Sequence, residues 1–369
     1  MRVLLTGGGT GGHLTPLIAV IDELRKKIGP DLEILYVGSG AQMEKEIMSE
    51  KNIPAKFVLS GKMRRYFSLK NILDFFKLPI GFFQSLWILL WFTPDVIFSK
   101  GGYVAVPIVI AAWIYRIPIM IHESDSIPGI ANQFLSKFAD RIAVAYPSAE
   151  EYFPKEKTAL IGNPIRFEVT EGDPLILRKK LGFTESKKTI LVLGGSQGSQ
   201  TINNFIIKIL PKILPYYQVI HQTGQEHFNE VIEEAAYLGI KSGREGYYAV
   251  PFMNANQLRD AFAASDLIIS RAGATSITEI AANAKPAILV PITHSANDHQ
   301  RMNAYALAGI GAALVLEEAN LGEHILIEKI DTIMNDENLK RKMIERLKTF
   351  YHPNATEVIA NSIIEVANS

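Results

Sequence analysis

Two glycine-rich turns of one design lie about half a chain apart. Gly7-Gly8-Gly9-Thr10-Gly11-Gly12 follows the apolar run Val3 to Leu5, and Gly194-Gly195-Ser196-Gln197-Gly198 follows Ile190 to Leu193. A buried strand that runs through a glycine turn into a helix leaves the first backbone N–H groups of that helix able to hold an anion such as a phosphate. One such turn also closes ordinary strand-helix corners, so it is the repetition that constrains the fold. Two units of this kind imply two doubly wound domains, and 369 residues are too many for one ordinary core.

The rest of the chain alternates strand-like apolar runs with helical stretches. The runs are Glu33 to Val37, Val96 to Ser99, Ile117 to Ile121 and Arg141 to Ala145, then Gln218 to His221, Leu267 to Ser270 and Ala287 to Val290. Such alternation predicts parallel sheets covered by helices. Gly162-Asn163-Pro164-Ile165-Arg166 carries turn chemistry and is followed by a polar, acidic stretch to Asp173-Pro174, which places the linker there. The expected domains are 1–163 and 164–353. His352-Pro353 interrupts a helical pattern, and Asn354 is placed to cap a last helix through Val366, so that 354–369 returns to the first domain.

Composition narrows the partners. Lysine plus arginine and aspartate plus glutamate balance at 38 each, so no global field favours nucleic acid. The absence of cysteine excludes disulfide scaffolds and thiolate metal sites. With Val3 to Leu5 as a first strand there is no room for a cleavable signal, and a cytoplasmic location is expected.

A dinucleotide fold needs an acid after the second strand for the adenosine ribose. Gly38-Ser39-Gly40 and Gln222-Thr223-Gly224 stand there instead, and no Gly-Lys-Ser/Thr follows either turn. The second half offers other groups. Asp266 to Ser270 reads as a strand, Arg271-Ala272-Gly273-Ala274 as its turn, and Thr275 to Glu279 as the start of a helix, where a carboxylate is placed to accept both ribose hydroxyls. Alone, Glu279 is equally a favourable charge near a helix N-terminus. The next strand end, Pro291 to His294, leads into Asn297-Asp298-His299-Gln300, and polar clusters on consecutive strand ends are where open α/β folds bind ligands.

Taken in order, Gly7 to His13, Gly101-Gly102-Tyr103, His122-Glu123, Gly162-Asn163-Pro164, Gly194 to Gly198 and Gly273 to Glu279 closely resemble the MurG family of peptidoglycan N-acetylglucosaminyltransferases, along nearly the whole chain. The resemblance implies an α/β fold of the GT-B class, two Rossmann-like doubly wound domains with a cleft between them. It implies inverting transfer of N-acetylglucosamine from UDP-GlcNAc to the C4 hydroxyl of the muramoyl sugar of lipid I, undecaprenyl-pyrophosphoryl-MurNAc-pentapeptide, giving lipid II and UDP. It places the donor in the second domain and implies that Thr10, Gly11, Gly12, Arg166, Ser196, Met253 (beside uracil), Glu279 (on ribose), His299 and Gln300 bind it. His299 stands where some members carry glutamine. Asp125, on the acceptor side with Tyr103, is asparagine in many members. No cofactor and no metal are expected: glycine turns at helix N-termini supply the positive potential that the leaving diphosphate needs.

Two residues compete as the base. His13 precedes Thr15-Pro16, a cap and first-position pair for a helix. A neutral imidazole there accepts a proton, or else merely braces the loop. Glu123, near a strand end, is either the base or a carboxylate paired with neighbouring backbone. Tyr103 either lines the acceptor pocket or packs beneath it.

A lipid acceptor requires a bilayer, and the expected seat is peripheral, on an anionic membrane at its cytoplasmic face. Arg64, Arg65, Phe67, Lys70, Phe75 and Phe76 lie in a basic, aromatic stretch assigned to that face over 62–78. Ile80 to Phe92, apolar on nearly every face and followed by a buried strand, is assigned mainly to packing, and it is too short for the roughly 20 residues of a crossing. Two other readings fit the scaffold, a UDP-GlcNAc 2-epimerase-like isomerase and a non-catalytic nucleotide-sugar sensor.

Overall fold

The run after Met1 forms strand β1 (Arg2–Thr6), whose side chains are buried from Val3 onward. It pairs in parallel with β2 (Glu33–Gly38) on one side and β4 (Val96–Ser99) on the other. With β3 (Ala55–Phe57), β5 (Ile119–Glu123), β6 (Arg141–Val144) and β7 (Thr158–Leu160), the order is β3-β2-β1-β4-β5-β6-β7. The second sheet repeats the pattern. Its strands are β8 (Lys188–Leu193), β9 (Tyr217–Gln222), β10 (Tyr247–Val250), β11 (Leu267–Ser270), β12 (Ala287–Leu289) and β13 (Leu314–Val315), in the order β10-β9-β8-β11-β12-β13. Each sheet reverses its winding beside its first strand, at β1/β4 and at β8/β11, and each glycine turn leaves that strand at its carboxyl end.

The computed structural model describes residues 1–8, 11–61, 69–195, 197–293 and 298–369, the side chains of 69–76 excepted. The chain divides into two units, Met1–Ile165 with His352–Ser369, and Arg166–Tyr351. In the first, helix Ala355–Ala367 packs against helix Gly11–Ile28 and adds Ile359, Ala360, Ile363 and Val366 to the core around Val3, Leu5, Leu17 and Phe98. The second is built around Ile190, Val192, Ile206, Leu210 and Ile269.

Several local expectations are corrected. The strand expected from Ile117 begins at Ile119, because Pro118 has no N–H to give the ladder and contributes only its carbonyl, to Ile97. The Thr15-Pro16 pair does not open a helix: the helix starts at Gly11, directly out of the glycine turn, and contains Pro16. His13 therefore sits in the first turn of the helix rather than ahead of it. Asn354 occupies the N-cap position of the last helix, but its side chain makes no capping bond.

The largest correction concerns Ile80 to Phe92, part of helix Leu69–Phe92. Ile80, Phe83, Trp87, Leu90 and Trp91 are exposed, Trp87 by 71% and Trp91 by 70%. The inward face is the other one, made by Gly81, Ser85, Leu89 and Phe92. Gly81 is required there, since a Cβ at that position would overlap the Leu59 carbonyl oxygen. Among the described residues no helix is long and apolar enough to cross a membrane.

Candidate active site

At the β1/β4 reversal, Gly7-Gly8 faces the turn Gly101-Gly102 that leaves β4. A Cβ on Gly102 would stand 3.2 Å from Gly8 O and 3.7 Å from the His13 ring. His13 Nδ1 lies 3.1 Å from Gly8 O. A carbonyl only accepts, so Nδ1 carries a hydrogen, and in the neutral form of the ring the lone pair is then on Nε2. That is the tautomer a proton acceptor needs. Tyr103, partly exposed, follows the Gly101-Gly102 turn, and its carbonyl accepts from Val106 N.

Glu123 closes β5 and is buried. Its Oε1 accepts from Asp125 N at 3.0 Å, and its Oε2 accepts from Gly129 N at 3.1 Å and Asn132 Nδ2 at 3.0 Å. Burial, and then the Asp125 charge, push the Glu123 carboxyl above its ordinary range. Geometrically this carboxylate organises the loop 124–129.

Beneath the first glycine turn lies a group that sequence reasoning missed. Lys100, 2% exposed, donates through Nζ to His122 Nδ1 at 2.5 Å, to Ser124 Oγ, and to Asn163 Oδ1 at 3.4 Å. His122 Nε2 donates to Gly162 O at 2.9 Å, which fixes Nδ1 as the acceptor. A lysine at a strand end reads as surface in sequence; only the convergence of three distant segments shows otherwise.

In the second unit, Gly198 and Gly224 pack back to back, both at positive φ (81° and 88°), and a Cβ on Gly198 would overlap Thr223 O. Ser199 caps the helix Gln200–Ile213 by accepting from Ile202 N at 3.2 Å. Arg271, next to β11, joins the surrounding loops. Its Nη1 donates to Val290 O at 3.0 Å, and its Nη2 donates to Ser199 Oγ and Glu318 Oε1, each at 2.6 Å. Burial alone would raise the Glu318 carboxyl, but bonds from Thr293 and Arg271 hold it down at about 2. Gln222, noticed in sequence only for not being an acid, accepts from Met253 N at 3.0 Å and donates to Gly195 O at 3.3 Å, tying buried Met253 to the second glycine turn.

Glu279, in helix Ala274–Ala282, is 6% exposed. Its Oε1 accepts no hydrogen bond among the described residues and faces Arg166 Nη2 at 3.7 Å, while Arg166 Nε is likewise buried without a hydrogen-bond partner. Burial pushes the Glu279 carboxyl up to about 7, against the opposing pull of Arg166. His299 and Gln300 open helix His299–Gly309, and Gln300 Oε1 accepts from Ile292 N at 3.3 Å.

The structure thus brings His13 together with Gly8 and Gly102, Glu123 with Asp125, Arg166 with Glu279, and Met253 with the second glycine turn. Gly11 and Gly12 form the start of the helix that carries His13. Thr10, Ser196, Arg64, Arg65 and Phe67 lie outside the described residues, as do the side chains of Lys70, Phe75 and Phe76.

Comparison with known proteins agrees with this architecture. Residues 3–144 match the glycosyltransferase family 28 N-terminal domain and residues 189–359 its C-terminal domain. A Clostridium botulinum protein named UDP-N-acetylglucosamine--N-acetylmuramyl-(pentapeptide) pyrophosphoryl-undecaprenol N-acetylglucosamine transferase is 39% identical over 365 residues, 97% of this chain and 98% of its own length. Among solved structures, Acinetobacter baumannii MurG superposes with a TM-score of 0.76 at 26% identity, covering 99% of both chains. UDP-GlcNAc 2-epimerase from Neisseria meningitidis superposes at 0.68 with 15% identity, covering 99% of this chain and all of its own, and shares the fold alone. With a full-length relative at this identity, both domain matches and two like-wound parallel sheets of the GT-B class, the chain belongs to the MurG family of glycosyltransferase family 28.

Proposed function

We propose that this protein transfers N-acetylglucosamine from UDP-GlcNAc to the C4 hydroxyl of the muramoyl sugar of undecaprenyl-pyrophosphoryl-MurNAc-pentapeptide, with inversion. The observation that carries the reading is the pair of like-wound reversal points furnished differently. One bears an imidazole in the tautomer of a base, the other a buried carboxylate with an unfilled acceptor atom. The second unit binds the donor: Glu279 accepts the ribose hydroxyls, Met253 lies at the uracil, and Arg166, Ser196, His299 and Gln300 serve the diphosphate and sugar. The resemblance assigns Thr10, Gly11 and Gly12 to the donor as well. The first unit takes the acceptor near Tyr103 and Asp125.

The C4 oxygen attacks C1 of the sugar on the face opposite the diphosphate. The C1–O bond to the β-phosphate breaks with its electron pair leaving on UDP, and the proton of the C4 hydroxyl passes to His13 Nε2. Backbone N–H groups of the glycine turns offset the charge developing on UDP. No step calls on a metal, so transfer is expected to persist in EDTA; loss restored by magnesium contradicts the scheme. UDP release from UDP-GlcNAc only when a lipid I analogue is present tests the reading as a whole. Conversion of UDP-GlcNAc to its 2-epimer without acceptor and without net release of UDP favours an isomerase, and binding without turnover favours a sensor.

The lipid acceptor gives the exposed aromatic face a use. Phe83, Trp87, Leu90 and Trp91 form one helical stripe, Lys56 Nζ stands 5.9 Å over the Trp91 ring, and Trp113 and Ile114 are exposed on the adjoining helix Ala105–Ile114. An apolar stripe with basic neighbours seats in the interface of an anionic bilayer, at its cytoplasmic side. Replacing Phe83, Trp87 and Trp91 together by serine is expected to weaken vesicle binding about 100-fold, allowing about 1 kcal/mol per partly inserted ring. Unchanged co-sedimentation of this variant with phosphatidylglycerol vesicles would place the membrane face elsewhere.

A further inference from the structure

The three groups that accept hydrogen bonds from Lys100 Nζ are all neutral, since burial, and then the Lys100 charge, hold His122 well below its ordinary range. A buried ammonium among neutral acceptors is costly unless a counter-charge lies close by. The carboxylates acting on Lys100 are Glu123 and Asp125, which flank its partner Ser124. Those two carboxylates repel each other in turn, and the Asp125 N–H is bonded to Glu123. The charged and titratable groups facing this cluster are therefore His122 and Glu123 from β5, Asp125 from the following loop, and Tyr146 beyond β6, which feels Asp125.

We propose that Lys100 is a positioning residue: an internal counter-ion that lets Glu123 and Asp125 stand side by side and thereby holds the acceptor-side loop 124–129 in its working shape. Placing that loop on the acceptor side rests on the function proposed above; the charge compensation itself does not. The stem of Lys100 also supports the first glycine turn. A Cβ on Gly7 would lie 2.8 Å from Lys100 Cβ, and Lys100 N donates to Thr6 O at 2.8 Å. One side chain thus couples the glycine turn, the β5 end and Asn163. Burial lowers the Lys100 ammonium to about 7, against the opposing pull of Glu123 and Asp125.

The test is a double-mutant cycle in the full chain: wild type, Lys100→Met, Asp125→Asn and the double variant. Thermal unfolding is followed alongside kcat and KM for UDP-GlcNAc and for a soluble lipid I analogue. Lys100→Met is expected to lower the unfolding midpoint and to raise KM for the acceptor about tenfold or more while KM for the donor stays near wild type, and removing Asp125 as well should recover most of the lost stability, a coupling of the size seen between contacting residues. A double variant no more stable than Lys100→Met, or a KM loss shared equally by donor and acceptor, overturns the proposal. If Lys100→Met does not fold, a folded double variant supports compensation, and failure of both overturns it. The unfolding midpoints report the coupling even if wild type does not use the lipid acceptor, so failure of the functional reading and failure of this proposal are told apart.

Discussion

His13→Ala is expected to lower kcat by about 10²–10⁴ while UDP-GlcNAc affinity stays near normal, the signature of a general base lost from the acceptor side. The Nδ1–H bond to Gly8 O leaves the Nε2 lone pair as the basic site. Glu123→Ala is the necessary comparison and should behave differently. It strips the acceptor from three donors, the N–H groups of Asp125 and Gly129 and the Asn132 amide. Each unsatisfied buried donor costs about 1–3 kcal/mol. Its activity loss should therefore track a fall in thermal stability, and Glu123→Gln should retain more than Glu123→Ala. Full kcat in His13→Ala beside a well-folded, inactive Glu123→Ala would transfer the base to Glu123.

For Glu279 the expected effects on binding and stability have opposite signs. Glu279→Ala should weaken UDP-GlcNAc binding by about 1.5–3 kcal/mol, the loss of a charged hydrogen bond. Equal donor affinity by calorimetry in a folded variant would remove Glu279 from the site. The donor-free protein is a different matter. Its Glu279 carboxyl is raised from 4.5 to about 7, so between those pH values the folded state holds a proton that the unfolded chain has released. Stability consequently falls as pH rises through that window, by an amount on the order of 3 kcal/mol once the group is ionised. Glu279→Gln removes this dependence. It should melt higher than wild type at pH 8, with the gap closing toward pH 4.5, while binding donor less well. A variant gap that does not change with pH would show that Glu279 ionises as an ordinary surface acid.

Where a residue's fate is decided by local pattern, the sequence was a sound guide. The apolar run Leu267 to Ile269, closed by Ser270, is a strand because both faces are covered, and both glycine turns stand at the reversal of winding. Edge strands escaped for different reasons: Ala55–Phe57 has no fully buried side chain and no apolar run to read, whereas Leu314–Val315 is a two-residue strand inside the apolar run Ala312 to Leu316. The Thr15-Pro16 signal misled because a cap is local, whereas this helix starts where the turn out of β1 delivers the chain, at Gly11. The aromatic stripe was hidden in a helix apolar on nearly every side, where the burial of Gly81, Ser85, Leu89 and Phe92 and the close approach of Gly81 to Leu59 show which face turns inward. Glu279 and Arg166 were legible as a resemblance, but their imperfect pairing, and the Lys100 cluster, depend on segments far apart in the chain and have no sequence period.

The helix Ala355–Ala367 carries a consequence for how the protein is made. The second unit is one unbroken stretch, Arg166–Tyr351, whereas the first is closed by residues near the other end of the chain. On the ribosome, β1 to β7 emerge early but lack Ile359, Ile363 and Val366, so the part of helix Gly11–Ile28 that packs on those residues waits uncovered while the second unit is synthesised. Order of synthesis and order of completion are thus reversed, with the later-made unit able to finish first. During that interval the early-made sheet is the part of the nascent chain most dependent on chaperone cover.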